Sequence, residues 1–151
     1  GCELFFKCEN FQKVGAFKFR GAANALLSLT QEELRNGVAT HSSGNHAQAL
    51  ALAAKLLGTK ATIIMPRNSP AVKKNAVAGY GADIILCEPT LESREQTLRQ
   101  FVDKTGAAFI HPYDNFNIIC GQGTAAIELI EEVGSLDAVV APVGGGGLLS
   151  D

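Results

Sequence analysis

Lys18 is the residue of this chain whose type and setting are best suited to nucleophilic chemistry. It lies between Phe17 and Phe19, close to Arg20, at the start of a segment rich in Ala and Leu. An exposed lysine has a pKa of ~10.4, so its amine is protonated at neutral pH. Apolar neighbours, the positive end of a helix and a nearby arginine all disfavour the ammonium form. A neutral amine can form a Schiff base with an aldehyde, so Lys18 is a candidate for this chemistry. The simpler alternative is that Lys18 is a surface lysine on an amphipathic helix.

Four consecutive glycines, here called the glycine tetrad, follow the apolar run at residues 136–143. They are Gly144, Gly145, Gly146 and Gly147. Without side chains the backbone can turn sharply, and several N–H groups can converge on an anion at the start of a helix. The chain lacks the spacing of a dinucleotide fingerprint and the Lys-Ser/Thr of a nucleotide P-loop. The tetrad therefore indicates a phosphate on another kind of cofactor, with a flexible linker as the alternative.

A polar turn, here called the serine turn, precedes a second segment rich in Ala and Leu. Its residues are Ser42, Ser43, Gly44, Asn45 and His46. Small hydroxyl, amide and glycine residues at a helix N-terminus form an anion site of the size of a carboxylate. The same residue types are ordinary N-caps, so a well-capped helix is the alternative. Together, a phosphate site and a carboxylate site predict a bound adduct of a cofactor with an amino acid.

Strand-like apolar runs alternate with helix-like segments along the chain that carries these motifs. Strands are predicted at residues 4–8, 38–41, 61–65, 82–87, 107–111 and 136–143, and helices at 17–29, 31–36, 45–57, 70–78, 90–105 and 121–133. Apolar strands separated by helices imply parallel pairing with helices on both faces. The fold class is therefore α/β, with ligands expected at the carboxyl ends of the strands. The aperiodic segment between Pro112 and Gly121 is predicted to be a hinge or crossover.

The composition argues against several classes of protein. The 151 residues are 46% hydrophobic and 19% charged, with a formal net charge of −2, as in ordinary globular proteins. The sequence has no stripe of basic residues that would predict a nucleic-acid partner. No apolar run is long enough to span a membrane. The four cysteines have neither C-x-x-C nor metal-ligand spacing. They are predicted to be free, mostly buried thiols in a reducing compartment, the cytoplasm.

The motifs together resemble the fold-type II (tryptophan synthase β-like) family of pyridoxal phosphate enzymes. The resemblance rests on residues 7–13 (KCENFQK), 15–22 (GAFKFRGA), 42–49 (SSGNHAQA), 121–124 (GQGT) and the tetrad, in matching order over essentially the whole chain. Within the family, the chain is most similar to the branch of serine racemases and serine/threonine dehydratases. The resemblance implies parallel sheets flanked by helices, pyridoxal phosphate as cofactor, a small amino-acid substrate and a homodimer. It also implies ATP and a divalent metal, Mg or Ca, as effectors, with the metal ligands outside this chain.

The resemblance also implies a role for each candidate residue. Lys18 would hold the cofactor and act as acid and base, Phe17 would pack beside the cofactor ring, and Asn45 would bond its phenolic oxygen. The phosphate would be held by five residues: Gly144, Gly145, Gly146, Gly147 and Leu148. The substrate carboxylate would be held by the polar residues of the serine turn: Ser42, Ser43, Asn45 and His46. Arg94 would reach the substrate when a small domain closes.

The second serine of the turn bears on the reaction. Racemisation needs acid/base groups on both faces of the substrate, which Lys18 and Ser43 would supply, whereas elimination of the β-hydroxyl needs one. Dehydratases of the family typically have alanine where this chain has Ser43. The pattern favours serine racemisation with side dehydration to pyruvate and ammonia. Serine/threonine or 3-hydroxyaspartate dehydration remains the alternative, as does a non-catalytic fragment that binds pyridoxal phosphate or a nucleotide.

The same resemblance divides the chain into two parts. Residues 1–36 and 115–151 are predicted to belong to a large cofactor-binding domain, and residues 37–114 to a small domain. Both ends interrupt segments that look like regular structure, so the chain is predicted to be a fragment of a longer enzyme.

Overall fold

A computed structural model describes residues 1–150 of the chain. The strands are β1 (Val38–His41), β2 (Ala61–Pro66), β3 (Asp83–Cys87) and β4 (Ala108–Phe109). The helices are α1 (Lys18–Leu27), α2 (Gln31–Asn36), α3 (Asn45–Leu57), α4 (Ala71–Gly79), α5 (Leu91–Thr105) and α6 (Phe116–Val133). Two 3-10 turns, Glu9–Phe11 and Lys13–Gly15, precede α1. Among the described residues, none of the helices combines the length and apolar character needed to cross a bilayer.

The four strands form one parallel sheet in the order β3-β2-β1-β4. Val38 of β1 pairs with Ala61 of β2 on one side and with Ala108 of β4 on the other. Parallel neighbours need crossover connections, and α3, α4 and α5 supply the three that join successive strands. The predicted α/β class is confirmed.

Strand β2 is buried along its whole length and separates two hydrophobic clusters. Ile63 and Met65 lie in the larger cluster with residues of α1, α3 and α6, whereas Ile64 lies in the smaller one with Leu98 of α5. This split follows from the alternation of side chains along a strand. Helices therefore cover both faces of the sheet, and its carboxyl edge is left for the loops that carry the candidate residues.

Helices α1 and α6 approach each other closely enough for their backbones to touch. A Cβ built on Gly121 would lie 2.6 Å from Cα of Gly21. Beside this crossing, the fully buried Gln122 accepts a hydrogen bond of 3.1 Å from the N–H of Gly21. The crossing fixes the first turn of α1, where Lys18 lies.

Two predicted strands are absent from the described residues. Residues 4–8 and 136–143 form no strand, and Val140 is 94% exposed. An apolar run becomes a strand only where a neighbour satisfies its backbone N–H and C=O groups, and neither run pairs with a described strand. Those two predictions were wrong. The prediction of mostly buried thiols was wrong as well, because all four cysteines are free but Cys2 and Cys8 are exposed.

The connection after β4 is shorter than predicted. Helix α6 begins at Phe116 rather than at residue 121, because the side chain of Asn115 accepts a hydrogen bond of 3.0 Å from the N–H of Ile118. Asparagine is among the strongest N-caps, so the signal was present in the sequence. The remaining connection is called the crossover segment below and consists of residues 110–114.

Candidate functional site

Lys18 is the first residue of α1, and its side chain is half-buried. Its Nζ donates a hydrogen bond of 2.7 Å to the carbonyl oxygen of Pro112 and lies 5.3 Å from the centre of the Phe17 ring. Burial lowers the pKa of the Lys18 amine from its ordinary value, because desolvation disfavours the charged form. The amine is therefore a better nucleophile than that of an exposed lysine.

Arg20 has a different role from the one expected. Its guanidinium forms hydrogen bonds of 2.8 and 2.9 Å to the carboxylate of Glu9 and two of 2.7 Å to that of Glu128. These two carboxylates compensate the charge of Arg20. The pKa of Lys18 is lowered by burial alone, without a contribution from Arg20. The expectation that Arg20 contributes to that shift was wrong. Arg20 instead ties the first 3-10 turn and α1 to α6.

The glycine tetrad packs against Tyr113. A Cβ built on Gly145 would overlap the Tyr113 ring, and one built on Gly147 would lie 3.1 Å from the Tyr113 carbonyl oxygen. Gly146 has a φ of +89°, which favours glycine, and its carbonyl oxygen accepts from the N–H of Leu149 at 2.9 Å. The tetrad is therefore a packed turn, and its lack of side chains is what allows the close approach.

The serine turn leaves the start of α3 without a side-chain cap. Gly44 is the N-cap residue, and no side chain among the described residues accepts from the first-turn N–H groups. Ser42 stabilises the turn, since its Oγ accepts from the N–H of Gly44 at 3.2 Å and its own N–H donates to the Ile64 carbonyl at 3.2 Å. Uncapped N–H groups at a helix N-terminus bind anions, and the half-buried Ser43 lies beside them.

The His46 side chain is buried against the crossover segment. It is 3% exposed, and its Nε2 lies 3.1 Å from the carbonyl oxygen of Ile110. Burial lowers the pKa of His46 to about 4, so the ring is neutral at pH 7 and Nε2 donates to that carbonyl. The other ring nitrogen, Nδ1, is then an acceptor and cannot donate to a carboxylate. The contribution of His46 to a carboxylate site is therefore limited to its backbone N–H.

Arg94 lies on α5, where its Nε donates a hydrogen bond of 3.3 Å to the Thr90 carbonyl oxygen. Among the described residues, no hydrogen bond joins Arg94 to Lys18, the serine turn or the tetrad. Burial and His111 lower the pKa of His41, Glu95 raises it, and the charge of Arg94 lowers it further. The predicted contact of Arg94 with a substrate stays a prediction.

The crossover segment brings the three motifs together. The carbonyl oxygen of Ile110 accepts a hydrogen bond from His46 of the serine turn, and that of Pro112 accepts one from Lys18. The ring of Tyr113 packs against the tetrad. The sequence predicted the connection but not this role. The available signal was its place directly after β4, at the edge of a parallel sheet where ligands bind.

The arrangement fits a cofactor that combines an aldehyde with a phosphate. Lys18 offers a half-buried amine, and the tetrad offers a turn that any added side chain at Gly145 or Gly147 would crowd. The uncapped start of α3 offers N–H groups for a second anion. A family model described as pyridoxal-phosphate dependent enzyme matches residues 1–150, and the chain belongs to that family.

The relatives refine this assignment. The chain is 55% identical over 150 residues to serine racemase from Dictyostelium discoideum, covering 99% of this chain and 46% of that protein. It is 58% identical over 150 residues to L-threo-3-hydroxyaspartate ammonia-lyase from Saccharomyces cerevisiae, covering 99% and 46%. The crystal structure of the Dictyostelium racemase matches with a TM-score of 0.95 at 55% identity, covering 98% of this chain and 48% of that one. The chain thus spans about half the length of the curated relatives it matches.

Proposed function

We propose that the protein carrying this chain is a pyridoxal-phosphate-dependent serine racemase with a side activity that dehydrates serine to pyruvate and ammonia. The observation that carries the proposal is the meeting of Lys18, the tetrad and the serine turn, through His46, around one crossover segment. The choice of serine as substrate is supported by the similarity to serine racemases, among them the Dictyostelium enzyme at 55% identity.

The residues of the chain divide the work of holding the two ligands. The backbone N–H groups of the tetrad and of Leu148 hold the cofactor phosphate, while Phe17 flanks the ring and Asn45 bonds its phenolic oxygen. The first-turn N–H groups of α3, with Ser42 and Ser43, hold the substrate carboxylate. Arg94 reaches the substrate when the small domain closes.

Proton transfer falls to Lys18 and Ser43. Pyridoxal phosphate, when bound, supplies an electron sink that makes the Cα proton of an attached amino acid acidic. Lys18 removes that proton, and the Ser43 hydroxyl delivers a proton to the opposite face. If the β-hydroxyl leaves instead, it departs as water with the proton that Lys18 has taken up, and hydrolysis of the released enamine gives pyruvate and ammonia, so dehydration does not require Ser43.

The organisation of the complete protein belongs to the same proposal. Residues 37–114 form the small domain, and residues 1–36 and 115–151 contribute to the large one, although Asp151 lies outside the described residues. The protein is a cytoplasmic homodimer, with ATP and a divalent metal as effectors. The resemblance implies that the ligands of this metal lie outside the chain.

A second candidate function is dehydration of 3-hydroxyaspartate. It is favoured by the 58% identity to the yeast ammonia-lyase for that substrate and by 54% identity to the β-hydroxyaspartate dehydratase of Paracoccus denitrificans. Both the racemase and this alternative accommodate the double serine. Ammonia release from L-threo-3-hydroxyaspartate that exceeds turnover of L-serine by tenfold would favour the dehydratase.

The Ser43→Ala variant tests the division of roles. In the complete protein, we expect racemisation of L-serine to fall by about 100-fold or more, the usual cost of losing a general acid, while pyruvate formation persists. Ser42→Ala is the matched control, because loss of the bond to the Gly44 N–H should weaken both reactions together. A Ser43→Ala enzyme that racemises as fast as the wild type would contradict the proposal.

A further inference from the structure

We propose that His111 is a positioning residue for the cofactor site, because its imidazole holds the crossover segment in the conformation that Lys18 and the tetrad both need. The inference deepens the proposed function and rests on it for the identity of the ligand. His111 itself touches neither the amine of Lys18 nor the tetrad by any hydrogen bond among the described residues.

One ring nitrogen of His111 closes the segment into a turn. Its Nδ1 accepts hydrogen bonds from the backbone N–H of Asp114 at 2.8 Å and from that of Tyr113 at 3.3 Å. Accepting from the N–H groups two and three residues later is what an Asp or Asn side chain does in an Asx turn. His111 thus performs the function of an Asx residue with an aromatic ring.

The turn encloses the two groups that face the site. The Pro112 peptide lies inside it, so the turn sets the direction of the carbonyl oxygen that accepts from Lys18 at 2.7 Å. Tyr113 is held from two sides, by its N–H and by its ring, whose centre lies 4.7 Å from that of His111 at an interplanar angle of 86°. Tyr113 in turn supports Gly145 of the tetrad. One imidazole therefore acts on both halves of the cofactor site.

The function of His111 depends on its protonation, because Nδ1 accepts only while it carries no proton. Burial lowers the pKa of His111, Asp114 and Glu95 raise it, and Lys18 lowers it. His41 on β1 is coupled to it electrostatically. The ring is therefore neutral at pH 7, and acidification through its pKa removes the acceptor and releases the turn.

Two substitutions separate the acceptor from the ring. His111→Asn keeps a side-chain oxygen that can accept from the same two N–H groups, whereas His111→Phe keeps an aromatic ring and has no acceptor. Each is made in the complete protein. The first readout is hydrogen–deuterium exchange at the Tyr113 and Asp114 amides without added cofactor, and the second is the dissociation constant for pyridoxal phosphate.

We expect His111→Asn to resemble the wild type in both readouts. For His111→Phe we expect exchange at the two amides to be about tenfold faster and the cofactor to bind about tenfold more weakly, as the loss of net hydrogen bonding implies. On acidification, the cofactor affinity of the wild type should fall in a titration step caused by protonation of His111. That step should be absent from His111→Asn. If His111→Phe matches the wild type, or if His111→Asn is as impaired as His111→Phe, the proposal is overturned.

The two proposals fail in different ways. A wild-type protein that binds no pyridoxal phosphate would refute the proposed function, while the amide exchange would still decide whether His111 holds the turn. Normal cofactor binding combined with unchanged exchange in His111→Phe would refute the positioning role alone.

Discussion

Lys18 and the carbonyl of Pro112 show how a single side chain acquires its chemistry. The hydrogen bond of 2.7 Å orients the amine, and burial lowers its pKa. The sequence correctly indicated that Lys18 has apolar neighbours, which lower its pKa. It also led to the wrong expectation that Arg20 lowers this pKa. The error arose because sequence proximity does not reveal compensating partners, and Glu128, which binds Arg20, is over 100 positions away in the chain.

The charges around Arg20 give a pH-dependent contribution to stability. Hydrogen bonds from Arg20, and then from Lys7, lower the pKa of Glu128 from 4.5 to about 2. A carboxyl whose pKa is depressed by folding stabilises the folded state above its unfolded pKa, and this contribution is lost as the pH falls through the folded value. Its pH window therefore runs from about 4.5 down to about 2.

We expect Glu128→Gln to lower the free energy of unfolding at pH 7, and the difference from the wild type to shrink progressively below pH 4.5. Urea unfolding at pH 7 and at pH 3 measures both values. Glu131→Gln, a change of the same kind on α6, serves as the control and should leave stability nearly unchanged. An equal loss for Glu128→Gln at both pH values would contradict the ion-pair explanation.

At the scale of elements, the crossing of α1 and α6 requires glycine at one point. A Cβ on Gly121 would lie 2.6 Å from the backbone of Gly21, so the helices would have to separate. Gly121→Ala should cost about 1–3 kcal/mol of stability, as overpacking does elsewhere, and it should also weaken cofactor binding because α1 carries Lys18.

Gly79 offers a matched control for that substitution. A Cβ added there meets nothing within 4 Å, and the residue ends α4, so Gly79→Ala should leave stability unchanged or raise it by about 0.4–1 kcal/mol. Thermal unfolding of both variants checks the pair. If Gly121→Ala is as stable as Gly79→Ala, the close crossing does not hold.

Elements that depend on local signals were predictable from the sequence. The capping box of Thr30 and Glu33 is present at the start of α2, and β1 has the predicted bounds. The runs at residues 4–8 and 136–143 failed because strand formation depends on a partner, which a pattern within the run cannot reveal. The start of α6 was predicted from the hydrophobic pattern alone. The N-cap residue Asn115, which marks the true start, was not used.

At the scale of the whole molecule, the fold determines where the site lies. A parallel sheet places the loops after its strands at one edge, and here those loops carry the serine turn after β1 and the crossover segment after β4. The sequence predicted the motifs and the sheet. It could not predict that Ile110, Pro112 and Tyr113 would join them, since backbone carbonyls and a packed ring leave no pattern of their own.

The central claim is that Lys18 carries the cofactor. The direct measurement is borohydride reduction of the complete protein after addition of pyridoxal phosphate, followed by peptide mapping. Lys13→Ala is the matched control for Lys18→Ala, because Lys13 also lies near an aromatic ring, with its Nζ 5.7 Å from the centre of Phe19. We predict a label on Lys18 in the wild type and in Lys13→Ala, and none in Lys18→Ala. A label on another lysine, or an equal label in Lys18→Ala, would contradict the account.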